Sequence, residues 1–133
     1  MGKAVATLRP DLNLPRQGSW TVNLVQEPDG SIRISGKLDQ LERGFHRLII
    51  AESADFTDGC DSAGDILTFA DKTINGDLGL TVANMVGQSE FRFNLKSVDF
   101  SGSEGLIGRS IVVVQGHSSH GPRVACGVIG FAK

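Results

Sequence analysis

The sequence predicts an all-β domain, built as a sandwich or barrel of eight short strands. Apolar and polar residues alternate with a period of two in many short windows, which is typical of strands with one buried face. No window shows an apolar helical stripe that begins at a capping residue. The 133-residue chain also contains 17 glycines, which separate the strands as turns do in sandwiches and barrels.

The first half of the chain is expected to form four of these strands. Residues 3–9 are strand-like, and residues 19–27 and 31–39 form a hairpin around the Pro-Asp-Gly turn at 28–30. Proline fixes φ at one turn position, and glycine accepts a positive φ at another. Residues 45–51 complete this half as a strongly apolar strand.

The second half is expected to supply four more strands, at 78–83, 90–96, 110–114 and 127–132. The window 90–96 is the clearest half-buried strand, because its phenylalanines and leucine alternate with charged and amide side chains.

Two connections between the strands stand out. Residues 52–76 run for about 25 residues without a strand pattern, and a loop of that length in a compact domain is usually functional. Residues 115–126 form a shorter connection that is rich in glycine, serine and histidine.

Length and composition bound the class of protein. The chain is long enough for a single domain, spanning residues 1–133, to bury a core without staples. A formal net charge of −2 gives no reason to expect nucleic acid or an anionic membrane as a partner. No apolar run reaches the ~18 residues of a transmembrane helix, and no signal-peptide pattern is visible. A cytoplasmic location is therefore expected.

Five short motifs stand out along the chain. They are Gly59-Cys60, Ser62-Ala63-Gly64, Gly76-Asp77-Leu78-Gly79, Ile107-Gly108-Arg109 and Ala125-Cys126-Gly127-Val128-Ile129-Gly130. Together they resemble the motifs of the copper/zinc superoxide dismutase family. The likeness runs from residue 3 to residue 133, and it implies an eight-stranded Greek-key β-barrel of that family's type. A narrower resemblance, to poxviral superoxide-dismutase-like proteins, implies a viral origin and a virion as the alternative location.

The resemblance also implies where the metal ligands of the family fall, and this chain lacks nearly all of them. Copper that cycles between two oxidation states needs imidazole ligands in a fixed, open geometry, and the chain has only three histidines. We therefore expect no cofactor, and we expect that the chain is not an enzyme. The four copper histidines align with Ile49, Ala51, Ile66 and Val114, and one zinc histidine aligns with Ile74.

Four polar side chains near these positions have two interpretations each. Asp77 matches the zinc aspartate of the family, or it is a turn or cap residue. Arg123 matches the arginine beside the copper and is either a leftover anion site or a structural arginine that bonds loop carbonyls near Cys60. His117 and His120 are either a weak metal pair or part of a solvated loop. His46 lies three residues before the first copper position, at a place that is not a ligand in the family.

The resemblance further implies one covalent link and one interface. Cys60 and Cys126 match both halves of the disulfide of the family, and the alternative is two buried thiols, as is usual in reducing compartments. The dimer region of the family aligns with a set of small or apolar residues that includes two side chains expected to be exposed, Ile129 and Phe131. A dimer would cover them, and the alternative is a monomer with a modest exposed patch. The matching stretches are 53–55, Gly108 and 128–131, and the interface is expected to include Ser53, Ala54, Gly108, Ile129 and Phe131.

Three functions remain open from the sequence. In the first, the chain is a catalytically inactive dismutase-like decoy, scaffold or partner that pairs with itself, with a superoxide dismutase or with the copper chaperone of a dismutase. In the second, it is a weak metal carrier or chaperone-like protein that uses His117 and His120. In the third, it is an enzyme of altered chemistry, for which no nucleophile–base pair is visible.

Overall fold

Alternation of buried and exposed side chains shapes the first three strands and the sixth. The computed structural model describes residues 2–12, 14, 18–69, 75–102 and 105–132. β1 spans Lys3–Pro10, β2 spans Trp20–Gln26 and β3 spans Ile32–Leu38. β6, at Ser89–Leu95, pairs with β3. Every second residue of these strands points into the core, because side chains alternate across a strand.

Three of the other four strands carry longer runs of buried residues, and the exception is the strand at Asp77–Ala83. β4 spans Gly44–Ala51, β5 spans Asp77–Ala83, β7 spans Ser110–Gln115 and β8 spans Arg123–Phe131. β4 pairs with both β5 and β7, and β7 pairs with β8. All of these pairs are antiparallel.

The eight strands form one antiparallel sheet in the order β5-β4-β7-β8-β1-β2-β3-β6. Its two end strands, β5 and β6, also contact each other, so the sheet curls into a nearly closed barrel. β3 and β4 are consecutive in the chain but lie in different parts of the sheet, and so do β6 and β7. These are Greek-key connections. The predicted all-β fold, an eight-stranded Greek-key barrel, is confirmed.

The last strand begins earlier than the sequence pattern predicts. The sequence pattern predicts this strand at 127–132, but β8 starts at Arg123. The added residues pair with the neighbouring strands β1 and β7. Cys126 faces Val112 on β7 and Arg9 on β1. The Gly/Ser/His-rich stretch before Arg123 suggested a longer loop, whereas the loop itself ends at Pro122.

The long connection after β4 folds back onto the barrel wall. It contains a short 3₁₀ helix at Gly59–Ala63, and Ile66 forms an isolated β-bridge with Ala51. The amide of Leu67 donates to the carbonyl of Ile50, which extends this contact. The described residues contain no helix that is long and apolar enough to cross a membrane.

Among the residues that the structure describes, buried apolar side chains form two separate clusters. The larger one fills the barrel and includes Leu8, Leu24, Ile34, Leu48 and Ile111. The smaller one, called here the outer cluster, lies between the outer side of β4, β7 and β8 and the loop that covers them. It consists of Ile49, Ala51, Cys60, Ala63, Val112, Val114 and Cys126, with Phe56 and Ile66 packed against it.

Candidate functional site

The outer cluster brings together the four positions at which the family resemblance places copper histidines. Ile49 and Ala51 lie two residues apart on β4 and therefore share a face. Val114 lies on the neighbouring strand β7, where Val112 is the direct partner of Ile49. Ile66 joins them from the loop through its bridge to Ala51. The site is thus one continuous surface of the barrel wall, closed by the loop.

The side chains of the outer cluster do not fit a copper ion. Ile49, Ala51 and Val114 are fully buried, and their alkyl groups carry no lone pair that a metal could use. His46 lies on the opposite side of β4, on the same face as Leu48 and Ile50, where its Nδ1 is 3.2 Å from the carbonyl oxygen of Gly44. The described residues contain no group of three or more histidine, cysteine or acidic side chains arranged to hold a metal.

A disulfide joins Cys60 and Cys126 and fixes the covering loop to β8. The two Cα atoms are 5.7 Å apart, and 66 residues separate the cysteines in the chain. Cys60 is fully buried, and its amide donates to the Asp11 carboxylate at 2.7 Å, which ties the same loop to the end of β1. The predicted link is present, and the alternative of two buried thiols is excluded.

Asp77, the match to the zinc aspartate, is engaged by a cation of the protein itself. Arg47 Nη1 donates to Asp77 Oδ1 at 2.8 Å, and Arg47 Nε donates to the carbonyl oxygen of His117 at 2.7 Å. The amide of Asp77 donates to the side-chain oxygen of Asn75. Asp77 therefore begins β5 as an ion-paired residue. Ile74, the position of a zinc histidine, lies outside the described residues.

Arg123 holds the covering loop by its backbone. Its Nη1 donates to the carbonyl of Cys60 at 3.0 Å and its Nη2 donates to the carbonyl of Gly64 at 2.7 Å. The guanidinium side chain is 14% exposed, and its Nε lies 3.9 Å from the Asp61 carboxylate. These contacts are those of the structural arginine considered above. The leftover anion site stays a prediction.

The two loop histidines do not share a partner. The His117 ring packs on the Phe45 ring, with centroids 4.0 Å apart. The His120 amide donates to the Ser118 hydroxyl, and both histidines are exposed. Their loop follows β7 and is tied to β4 through the Gly116 amide, which donates to the Phe45 carbonyl.

The predicted dimer region is brought together, with one correction. Gly108 donates from its amide to the Ile129 carbonyl, and the Ser110 hydroxyl donates to the Ser53 carbonyl. Phe131 is 59% exposed, as expected, but Ile129 is only 1% exposed and belongs to the barrel core. Because side chains alternate along β8, the exposed neighbour is Val128.

Sequence reasoning placed Val128 in the matching region but chose Ile129 as the exposed side chain, and it missed Arg47. Val128 stands directly before Ile129 in an apolar run, so only the register of β8 shows which of the two points outward. Arg47 is the one charged residue in β4, and that isolation within an apolar strand was the available signal.

The model of the family described as copper/zinc superoxide dismutase (SODC) matches residues 18–129. The Cu-Zn superoxide dismutase of Neurospora crassa is 33% identical, with all of this chain and all of that protein covered. The extracellular Cu-Zn superoxide dismutase of Onchocerca volvulus is 34% identical, covering 98% of this chain and 76% of that protein. Cu-Zn superoxide dismutase 3 of Arabidopsis thaliana is 29% identical, with 97% and 90% covered.

These relatives confirm one expectation and overturn another. The resemblance to the copper/zinc superoxide dismutases is confirmed over nearly the whole chain. The expectation that the chain is not an enzyme is contradicted, because each of these relatives is named as a superoxide dismutase. The expectation rested on missing histidines alone. The narrower poxviral resemblance stays a prediction.

Proposed function

The chain belongs to the copper/zinc superoxide dismutase family, and we propose that it uses the barrel of that family to bind a protein partner, first of all a second copy of itself. The partner surface is the β8 face, defined by Val128, Phe131, Ser53, Ala54 and Gly108. The observation that carries the proposal is that two large apolar side chains near the end of β8, Val128 and Phe131, are exposed.

Apolar side chains continue the β8 face toward the disulfide. A cavity of about 270 Å³ opens beside Val128, and Pro10, Leu12 and Phe56 line its walls. Leu12 is 73% exposed. Apolar surface of this kind, with a recess for a partner's side chain, is typical of protein–protein contacts.

Hydrogen bonds hold the β8 face in one shape. Ser53 donates from its amide and its hydroxyl to the Ala63 carbonyl, both at 3.0 Å, and Arg109 Nη1 donates to the Glu52 carbonyl at 2.7 Å. A surface that is already ordered loses little conformational entropy on binding. A single repeated patch gives a two-fold, self-complementary dimer.

Analytical ultracentrifugation at tens of micromolar tests the proposal. We expect a dimer for the native chain and a folded monomer for Val128→Asp, because the new carboxylate would be desolvated in the contact. Val82→Asp is the matched control, since Val82 on β5 is 54% exposed against 48% for Val128. It should remain dimeric.

Gly108 is less suited to this test than the sequence indicated. Its φ is +87°, a conformation that side chains other than glycine rarely adopt, so Gly108→Arg adds backbone strain to any effect on association. Phe131→Asp avoids that complication. A native chain that is monomeric at these concentrations would overturn the homodimer, and a mixing experiment with a dismutase or its copper chaperone would then identify a different partner.

A second candidate function is the reaction in the names of the relatives, superoxide dismutation. The identity and coverage of those relatives favour it, and partner binding does not exclude it. The test is the superoxide dismutation rate of the native chain after copper loading, with bound copper measured in the same sample. A copper-dependent rate would establish this function. Bound metal that is lost in His117→Ala with His120→Ala would instead support the metal-carrier alternative.

A further inference from the structure

Arg47 occupies an unusual place on the barrel wall. It is the one charged residue of β4, its side chain is only 21% exposed, and its direct neighbour on β7 is Val114, a member of the outer cluster. On the other side its neighbour on β5 is Leu80. A guanidinium with this little exposure needs partners that replace its hydration.

The partners of Arg47 come from two different segments. The Asp77 carboxylate, at the start of β5, accepts from Nη1 at 2.8 Å. The His117 carbonyl, in the loop after β7, accepts from Nε at 2.7 Å. A guanidinium suits this task because its donors point in several fixed directions at once, which an ammonium group does not offer.

Arg47 donates to the same carboxylate, Asp77, that the family resemblance assigns to a metal ion. The resemblance assigns Asp77 to zinc, but the sequence has Ile74 where the family has a zinc histidine, and the Asp77 carboxylate is already paired with the guanidinium of Arg47. We propose that Arg47 is the built-in cation of this site, which neutralises Asp77 and fixes the 116–122 loop without a divalent ion. This inference does not depend on the partner binding proposed above.

The Arg47 contacts make the order of the 116–122 loop depend on one side chain. The Gly116 amide donates to the Phe45 carbonyl and the Gln115 amide donates to the Pro122 carbonyl, so the two amides at the start of the loop are protected from exchange. Without Arg47, the His117 carbonyl loses its donor and Asp77 keeps an uncompensated charge. The loop and the start of β5 should then loosen together.

Hydrogen exchange and thermal unfolding of the metal-free chain test the proposal. Arg47→Gln should speed amide exchange at 115–121 about ten-fold, as expected for local opening, and lower the Tm by several degrees. Arg47→Lys keeps the charge near Asp77 but not both bonds, so it should recover part of the Tm while loop exchange stays fast. The double change of Arg47→Gln with Asp77→Asn should lower the Tm by less than the sum of the two single changes.

A matched arginine provides the control. Arg33 pairs with Glu27 on the barrel wall, with a side chain that is 30% exposed. Arg33→Gln removes an ion pair of similar exposure and should leave exchange at 115–121 unchanged. If Arg47→Gln and Arg33→Gln gave the same exchange pattern, the proposal would be wrong.

Zinc titration separates Arg47 from a true metal site. One equivalent of Zn²⁺ should leave the Tm of the native chain within about 1 °C, a shift too small for specific binding at that concentration. A rise of several degrees that disappears in Asp77→Asn would show that Asp77 binds metal and would overturn the proposal. If Arg47→Gln fails to fold, Arg47→Lys and Asp77→Asn carry the exchange test.

Discussion

Two walls of the same barrel treat their outer side chains in opposite ways. On the wall of β2, β3 and β6, outward residues such as Thr21, Asn23 and Arg92 are exposed. On the wall of β4, β7 and β8, outward residues such as Ile49 and Val112 are as buried as those that point into the barrel. The strands are alike, and the difference is the loop that covers the second wall.

The covering loop explains why one wall alternates in sequence and the other does not. The sequence of a strand alternates with a period of two only when one face is exposed to solvent. A strand that is buried on both faces has a continuous run of apolar residues. Residues 110–114 are all buried for this reason. A continuous apolar run in the sequence therefore predicts that something covers the outer face of the strand, although it does not predict which segment does so.

The largest expected effect on stability comes from removing the disulfide that fixes the covering loop to β8. Cys60→Ser with Cys126→Ser removes a link across 66 residues, which stabilises by about 4 kcal/mol in the chain-entropy model. Urea unfolding should show a loss of that order in the free energy of unfolding, and hydrogen exchange should increase at 59–66 in the covering loop. Exchange in β2, β3 and β6 at low denaturant should change far less. A uniform increase over both walls would mean that the cover is not a separate unit.

A pair of valines measures the two walls with the same chemical change. Val112→Ala on β7 removes two methyl groups from a fully buried site, at about 2 kcal/mol including the cavity. Val25 lies on the outward face of β2 and is half-buried. Val25→Ala should therefore lower the free energy of unfolding by less than half of that amount. The loss of strand propensity is common to both and cancels in the difference. Equal losses in chemical denaturation would show that the loop does not seal the outer cluster.

The open wall was largely predictable from sequence, and the covered wall only in outline. The hairpin of β2 and β3 follows from alternation and a Pro-Asp-Gly turn, both of which are local signals. The start of β8 at Arg123 depends instead on pairing with β1 and β7, which no local pattern contains. Likewise Ile129 and Val128 are adjacent apolar residues, and only the register assigns one to the core and the other to the surface.

The candidate site was predictable in its positions but not in its contacts. The resemblance placed Ile49, Ala51 and Val114 on one surface, and the fold brings them together. It could not show that Arg47 engages Asp77, because that bond joins residues on two strands through one particular rotamer. Side-chain partners of this kind follow from packing and not from spacing along the chain.

The smallest expected effect concerns two turns, one beside each wall, that use the same local chemistry. Asp29 accepts from the hydroxyl and the amide of Ser31, and Asp55 accepts from the hydroxyl and the amide of Thr57. In both cases the side-chain hydrogen bond, followed by the backbone one, lowers the pKa of the carboxyl below its ordinary value of 3.8. Both carboxylates are fully exposed, so the covering loop should not change how far either pKa is lowered.

Ser31→Ala and Thr57→Val should therefore raise the pKa of their aspartates by similar amounts in an NMR titration. Because each pKa is lowered by folding, each turn contributes stability above the unfolded value of 3.8, and that contribution is lost as the pH falls through the lower folded value. Asp29 also feels Lys96, so its pKa should rise with added salt more than that of Asp55. A clearly larger pKa change at Asp55 would show that the covering loop alters the electrostatics of its own turn. The two walls would then differ in electrostatics as well as in packing.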